Sequence, residues 1–590
     1  MTDAAAQALA AGDLDGAERA ALAVLAADPA QAEALQILGL VRRRQNRLAE
    51  ALALLREAWR RAPHLPHLGG NLVSALTAAD RPEEAVAAAD DALAAHPGFA
   101  DLHLNSGFAA LHLNSGFAAL HLNRGVALHA LKRHAEAALA FAEAARLHPD
   151  LFLAHFYQGC AWEEDGQPQA AEAPLRRAVA LAPDHAEAHN HLGRVLHAQD
   201  RHAEALDSFR AAAALAPDNA AILNNLGSAL LRLDRPHDAM APLDRAARLA
   251  PDDAGIQANL SLLHTELQDL PRAMAHSRRA IALAPDKAEY HWSHALQLLQ
   301  CGHWRQGWRE YEWRWRLPEH PPFTGLPLWQ DQDIADATVV VVAEQGHGDT
   351  LHFLRYVPLL AARCRHVVLR VQPPLKTLVA ANFPHCTVIG NHDPVPPADW
   401  LVPLMSLPHR LDLDGDDPPA PYLHAPPERL APWAERLAAL PGRIKVGLAW
   451  RGSPTHRRDH LRSVKLEVLA ALAARDDVTF VALHPDASAA EAAAFPAGRL
   501  DVSLAAHLGD FADTAALMAH LPLVVSVDSS PAHLAGALGR PCRVLVPAVP
   551  DWRWGLDGAS CRWYGSLTLE RQRPGEAWSA TMARLLAAIG

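Results

Sequence analysis

An α-solenoid followed by an α/β fold built as two facing Rossmann-like halves is the architecture this 590-residue sequence predicts. Three observations predict it. A proline returns every 34 residues through the first half, an aromatic-rich helix closes that series near residue 318, and beyond Pro327 the texture changes to alternating strands and helices.

The prolines are Pro29, Pro63, Pro97, Pro149, Pro183, Pro217, Pro251 and Pro285, with one longer step between Pro97 and Pro149. A 34-residue period is that of the tetratricopeptide repeat, a helix-turn-helix unit that buries its apolar face only by stacking on its neighbours. The unit ending at Pro217 places Leu192, Gly193, Ala205, Phe209 and Ala212 where two packed helices need a large residue, a close-approach glycine and small contacts. The next unit repeats this with Leu226, Gly227, Ala239 and Ala246. Residues 1–318 are thus read as a superhelix of repeats.

The long step carries an 18-residue surplus within 102–119, where LHLNSGFAA is copied directly as LHLNSGFAA. One nine-residue copy advances a helix by about two and a half turns and reverses its apolar face; two copies give about five turns and restore it. One lengthened helix is therefore possible, but Gly107 and Gly116 each cost a helix interior about 1 kcal/mol, so a broken helix or short hairpin stays open. A tandem duplication without functional consequence is the preferred reading.

Counted back from each proline, one position of the first helix is Asn71, Asn123, His191, Asn225 and Asn259. Such amides on the concave side would form a ladder able to donate to and accept from an extended peptide backbone. Tolerance of asparagine at an exposed helix position is the competing account. Histidine is abundant, 35 in all, yet His121, His129, His189 and His191 sit at helix faces and turns without HExxH or clustered His/Cys spacing, so no metal is expected.

The repeats close with HWRQGWREYEWRWRL (303–317). Trp304, Trp308, Tyr311 and Trp315 share one helix face with arginines largely between them, which reads as a terminal helix docking the solenoid on the next domain rather than as a base-stacking surface.

In 327–430 the run ATVVVVAEQ (337–345) leads through GHGDT into an apolar helix and then HVVLRVQ (366–372), a strand-turn-helix-strand unit with its ligand edge at the glycines. A proline-rich break, 416–432, follows. A second half, 441–590, contains IKVGLAW (444–450), VTFVALH (478–484), LVVSVDSS (523–530) and RVLVPA (543–548). Two such halves place a cleft between the carboxyl ends of both sheets.

A formal net charge of −12 offers no general attraction to nucleic acid, and no nucleic-acid partner is expected. The start shows no secretory pattern and no apolar run approaches the roughly 20 residues of a membrane span. The six cysteines form no CxxC pair. These features predict a soluble, reduced, cytoplasmic protein without a transmembrane segment.

The stretches EQGHGDTLHFLRYVPLL, VGLAWRGSPTHRRDHLRSV and GDFADTAALMAHLPLVVSVDSSPAHLAGALGRP, followed by PDWRW, resemble GT-B glycosyltransferases related to the bacterial lipopolysaccharide heptosyltransferases. The whole chain is similar to bacterial proteins that fuse such a domain behind tetratricopeptide repeats, and its order of parts is similar to protein O-GlcNAc transferases. The resemblance implies a GT-B fold and metal-independent glycosyl transfer from a nucleotide-sugar, which is a substrate, with no cofactor. The repeats would recruit a protein or peptide acceptor.

Glycosyl transfer needs a base for the acceptor hydroxyl and positive charge or dipole for the leaving diphosphate. Gly346 and Gly348 would turn the backbone tightly and bring Asp349 to the cleft, at the family position proposed as general base; a cap on a helix starting at Thr350 is the alternative role. Asp528, Ser529 and Ser530 end a strand and open PAHLAGALG, whose N-terminal N–H groups suit a diphosphate, with His533 in its first turn either hydrogen bonding there or packing. Trp450, Arg451 and Arg462 match family positions near the donor. Three residues depart from the pattern: His347 stands where an apolar residue is usual, Ser529 where threonine is common, and Pro531 where a small or branched residue is typical. The alternative function is a non-catalytic tetratricopeptide adaptor whose degenerate glycosyltransferase-like domain serves protein assembly.

Overall fold

The computed structural model describes residues 2–95, 107–318, 325–456, 458–474, 477–496 and 498–589; of 107–116, 474 and 587–589 it describes the backbone alone. The chain forms two compact units, Met1–Pro251 and Asp252–Gly590.

In the first unit the described residues form seven helix pairs, from Thr2–Ala10 with Leu14–Ala27 to Ala220–Arg232 with Pro236–Leu249. The pairing follows from the sequence as the period predicts. Pro29, Pro63, Pro149, Pro183 and Pro217 lie in the turns that follow each second helix, where the missing N–H costs nothing. Within a pair, a Cβ added at Gly193 would sit 2.6 Å from the Phe209 ring, and one at Gly227 2.4 Å from Leu243. These glycines are required by close approach, which lets Phe209 and Leu243 become almost wholly buried.

A second periodic feature escapes a reading by hydrophobicity. The turn inside a repeat takes a left-handed residue at constant phase, Gly12, Asn46, Asp80, Lys132, Gly166, Asp200 and Asp234. Most of these are the residue types that tolerate this conformation at least cost.

The described part of the duplicated segment, 107–119, lies in a single helix, Gly107–Ala130, of 24 residues where the first helices of the neighbouring pairs have 13. Gly107 and Gly116 lie inside it, so within the described residues the lengthened helix is the form taken. Phe117 and Leu120 are buried, so the register survives the insertion. Pro97 and residues 102–106 lie outside the described residues.

The second unit opens with the pairs Ala254–Glu266 with Leu270–Leu283 and Ala288–Gln300 with Trp304–Tyr311, continued by a 3-10 turn at Glu312–Arg316. Two wholly parallel sheets follow. The first runs β3-β2-β1-β4, with β1 Thr338–Val342, β2 His366–Val371, β3 Thr387–Gly390 and β4 Trp400–Pro403. The second runs β10-β9-β8-β5-β6-β7, with β5 Ile444–Ala449, β6 Val478–Ala482, β7 Leu500–Asp501, β8 Leu523–Val527, β9 Cys542–Val546 and β10 Leu567–Arg571. β1, β5 and β8 lie inside their sheets, and residues 339–342, 446–449 and 524–527 are buried because both faces of a parallel sheet are covered.

The aromatic segment docks through part of the face its spacing predicts, with Trp304 and Trp315 half-buried. Trp308 and Tyr311 are buried, and Trp308 meets Phe353 and Trp552 edge-on at 5.7 and 5.3 Å. Arg314 is fully buried and bonds Glu312 at 2.8 Å, Glu344 at 2.9 Å and the Ser406 hydroxyl at 2.7 Å. Glu312 also pairs with Arg410 at 3.0 Å. Burial holds the Glu344 carboxyl above its ordinary range, against the pull of Arg314. Removing one member of such a network leaves an uncompensated buried charge, a loss of about 3–5 kcal/mol. Arg314→Met should therefore lower the urea midpoint of the second unit, followed by tryptophan fluorescence, and Arg314→Met with Glu344→Gln should recover part of the loss.

Candidate active site

A cavity of about 1090 Å³ opens in the second unit at the carboxyl ends of strands from both sheets. Its wall is made by the turns after β1, β5, β6, β8 and β9, the edge at which open parallel sheets bind ligands. Nine of the ten sequence-predicted catalytic and donor residues line it, namely Gly346, Gly348, Asp349, Arg451, Arg462, Asp528, Ser529, Ser530 and His533. Trp450 does not. Its side chain is buried in the core of the second half, edge-on to His484 at 4.5 Å.

The glycine turn works differently from its sequence reading. The left-handed residue is Gln345, with φ 58°, while Gly346 is the N-cap at φ −82° and Gly348 is helical. Gly348 is needed for contact: a Cβ there would lie 3.0 Å from the His533 ring and 3.5 Å from the Ser530 backbone, so a larger residue would push the two halves apart at the site. The helix spans His347–Phe353 and starts three residues before Thr350, which puts Asp349 at its third position. There the carboxylate accepts from the Gly346 N–H at 3.0 Å, a cap from inside the first turn. His347, the departure between the glycines, packs edge-on to Phe511 at 5.2 Å.

Asp349 has a second partner that sequence reading missed. Its other oxygen accepts from the Arg553 guanidinium at 2.5 Å. Arg553 is buried, bonds Asp551 at 2.8 Å and lies over the Trp552 ring at 4.3 Å. The only sequence trace of this group is PDWRW, 204 residues away, an alternation of charge and aromatic at the end of β9.

On the facing half, Ser529 is the N-cap of the helix Ser530–Ala537 and makes no capping bond; its hydroxyl donates to the Val527 carbonyl at 3.2 Å. The first N–H groups of that helix are left without a side-chain cap at the cavity wall, with Pro531 in the first turn. His533 is buried, its Nδ1 3.1 Å from the Tyr564 hydroxyl and its ring stacked on Trp554. Burial drives its pKa well below the usual value, so it is neutral. Beneath it, His352 Nδ1 meets the same Tyr564 hydroxyl at 3.1 Å.

The predicted cations come with carboxylates. Arg451 bonds Asp486 at 3.0 Å and Glu491 at 3.2 Å, and Arg462 bonds Asp459 at 3.0 Å. Arg458, on the same loop, makes a bidentate pair with Glu266 at 2.8 and 2.7 Å. The helices that end the repeats supply Trp292, Leu296 and Gln300 to the cavity wall, a contribution the sequence did not reveal.

The ladder residues lie elsewhere. In the first unit they are half-buried rather than exposed, and several knit adjacent repeats: Asn123 donates to the Gly70 carbonyl at 3.0 Å, Asn225 to Asn190 at 2.9 Å, and His191 pairs with Glu163 at 2.6 Å. Asn71 is half-buried, and so is Asn259 in the second unit, which does not line the cavity.

Comparison with known proteins accords with this division. Tetratricopeptide-repeat models match residues 2–66, 42–104, 108–151, 158–220 and 224–288, and the glycosyltransferase family 9 (heptosyltransferase) model matches 466–545. Protein FlbA of Caulobacter vibrioides is 26% identical over 326 residues, 50% of this chain and 54% of FlbA. The chain thus spans about half the length of this curated relative. Among solved structures, PilF of Pseudomonas aeruginosa is 17% identical with a TM-score of 0.31, covering 35% of this chain and 95% of its own. A thermophilic tetratricopeptide-repeat protein of Thermus thermophilus, TTC0263, is 23% identical with a TM-score of 0.27, covering 31% and 99%. The chain therefore carries tetratricopeptide repeats through its N-terminal region and a glycosyltransferase family 9 segment towards its C-terminus. Among the described residues no helix is long and apolar enough to cross a membrane.

Asp528 gives this site a measurable pH dependence. Burial and the nearby Asp551 charge raise its carboxyl from 3.8 to about 6. Between those values the folded state holds a proton that the unfolded state has lost, so this group's contribution to stability falls as pH rises through that window. Asp528→Asn, which mimics the protonated acid, should raise Tm at pH 7.5 and leave it nearly unchanged at pH 4, as read by calorimetry at both values.

Proposed function

We propose that the second unit is an inverting, metal-independent glycosyltransferase acting on a nucleotide-sugar, and that the repeats recruit its acceptor, a protein or peptide. One observation carries the reading: Asp349 and the uncapped N-terminus of Ser530–Ala537 face one cavity from opposite sheets, and that helix lies inside the family 9 segment.

The chemistry follows from the placement. The donor diphosphate sits at the helix N-terminus, where N–H groups and the helix dipole offset its charge, and Arg462 adds a cation. The acceptor hydroxyl attacks the anomeric carbon from the face opposite the diphosphate. A new C–O bond forms as the C–O bond to the diphosphate breaks, the nucleoside diphosphate keeps the bonding electrons, and Asp349 takes the hydroxyl proton. Arg553 aims Asp349 before that step, and Asp551 retains Arg553 once the Asp349 carboxylate has taken the proton. Protein-borne charge and the helix terminus thus meet the electrostatic demand of the leaving group, which is the support for a metal-independent mechanism.

The adaptor reading draws on a specific feature: Arg451 and Arg462 are already paired with Asp486, Glu491 and Asp459. A donor would have to compete for them. Thermal shift on adding ADP-, UDP-, GDP- and CDP-sugars separates the readings, because transfer requires a response to at least one and a dead domain gives none. Asp349→Asn should preserve folding and donor binding while lowering turnover by about 10²- to 10⁴-fold. Turnover equal to wild type would make Asp349 a cap only.

A further inference from the structure

We propose that the first unit holds a divalent metal site of the Zn²⁺ class on His129, His134 and Glu164, joining two successive repeats. His129 is near the end of the helix Gly107–Ala130, and His134 is the first residue of the helix His134–Leu147. Glu164 is the last residue of the helix Phe152–Glu164 in the next repeat. One ligand atom from each lies within 4.8 Å of the others.

The separations suit an ion. The Glu164 carboxylate oxygen is 2.8 Å from His129 Nε2 and 3.2 Å from His134 Nδ1. Zinc binds such atoms at about 2.0–2.1 Å, which places neighbouring corners of its tetrahedron about 3.3 Å apart. The His134 pair already has that spacing, and the His129 pair needs to open by roughly 0.5 Å. The imidazole rings stand nearly perpendicular, at 76° with centroids 5.1 Å apart, so their nitrogens converge. His134 Nδ1 is buried, faces the carboxylate and makes no hydrogen bond. His129 and Glu164 are partly exposed, which leaves the cluster accessible to an ion.

The repeat supplies its own control. Two repeats later the same histidine pair recurs as His197 and His202, with ring centroids 4.7 Å apart. The position equivalent to Glu164 is Arg232. There a guanidinium stands close to both rings in place of the carboxylate, so the third ligand is absent and a like charge opposes a cation. The intervening repeat has Glu163, Pro168 and Ala198 in the three places and lacks the pair. One side chain, Glu164 or Arg232, therefore decides whether the histidine pair is a ligand set.

The test uses the full chain, without a histidine tag and stripped by chelator, titrated with Co²⁺ by visible absorption and then back-titrated with Zn²⁺. Wild type should bind one ion at least tenfold more tightly than Glu164→Arg, which copies the second pair while keeping every histidine. Arg232→Glu should gain one further ion. A Glu164→Arg titration that overlays wild type overturns the site. Should that variant fail to fold by circular dichroism, Arg232→Glu decides: an added ion supports the rule, and an unchanged count overturns it.

Discussion

A positive charge with no access to water, Arg314, holds the second unit's working edge in place. Its guanidinium is fully buried between Glu312, from the aromatic segment, and Glu344, two residues beyond β1. Desolvating an arginine costs several kcal/mol, so the charge is tolerable only where partners meet its donors in fixed directions. That requirement ties the last repeat to β1, and β1 to the loop at Ser406. Immediately after Glu344 come Gln345 in its left-handed conformation and then Gly346, Gly348 and Asp349. The position of Asp349 is thus inherited from a salt bridge in the wall behind it.

Arg553 repeats this device from the other side. It reaches Asp349 across the junction of the halves, held by Asp551 and by the Trp552 face. Together with Gly348 against His533, it fixes the distance between the Asp349 carboxylate and the helix at Ser530. Neither contact is strong because of area. Each is specific because a small displacement would strand a buried charge or force a backbone clash, which makes the cleft geometry steep in energy. Arg458 with Glu266 extends the constraint to the helices that end the repeats.

Much of this was legible in the sequence, and what was not has physical reasons. The 34-residue period, the close-approach glycines and the central strands announced themselves because burial on one face or both imposes a pattern. β3, β4, β7 and β10 went unread because they are short edge strands, too brief to show a period. The cavity-lining residues on glycine turns and strand ends were singled out from local chemistry together with the family resemblance. Arg553 was not, because its pairing with Asp349 is a fact of folding that no spacing encodes. Trp450 was misplaced for the converse reason: a residue beside a site in sequence can point into the core. The asparagines were read as a ladder for an extended peptide because one recurring position was considered without the preceding repeat, whose Gly70 carbonyl and Asn190 amide two of them bond.

The repeats also show how a solenoid separates structure from function within one sequence. Positions that carry packing recur with compensation: a glycine faces a large residue whether the pair is Gly125 with Phe141 or Gly159 with Leu175. Such pairs must recur, since every repeat solves the same contact with its own second helix. The last residue of the first helix carries no such demand, and there the chain places Glu164 in one repeat, Ala198 in the next and Arg232 after that. Charge inverts across two repeats while the helices around it stay in register. Where the scaffold is fixed by repetition, a difference between repeats at one phase reports chemistry rather than packing, and comparison within the chain can reveal what its overall pattern conceals.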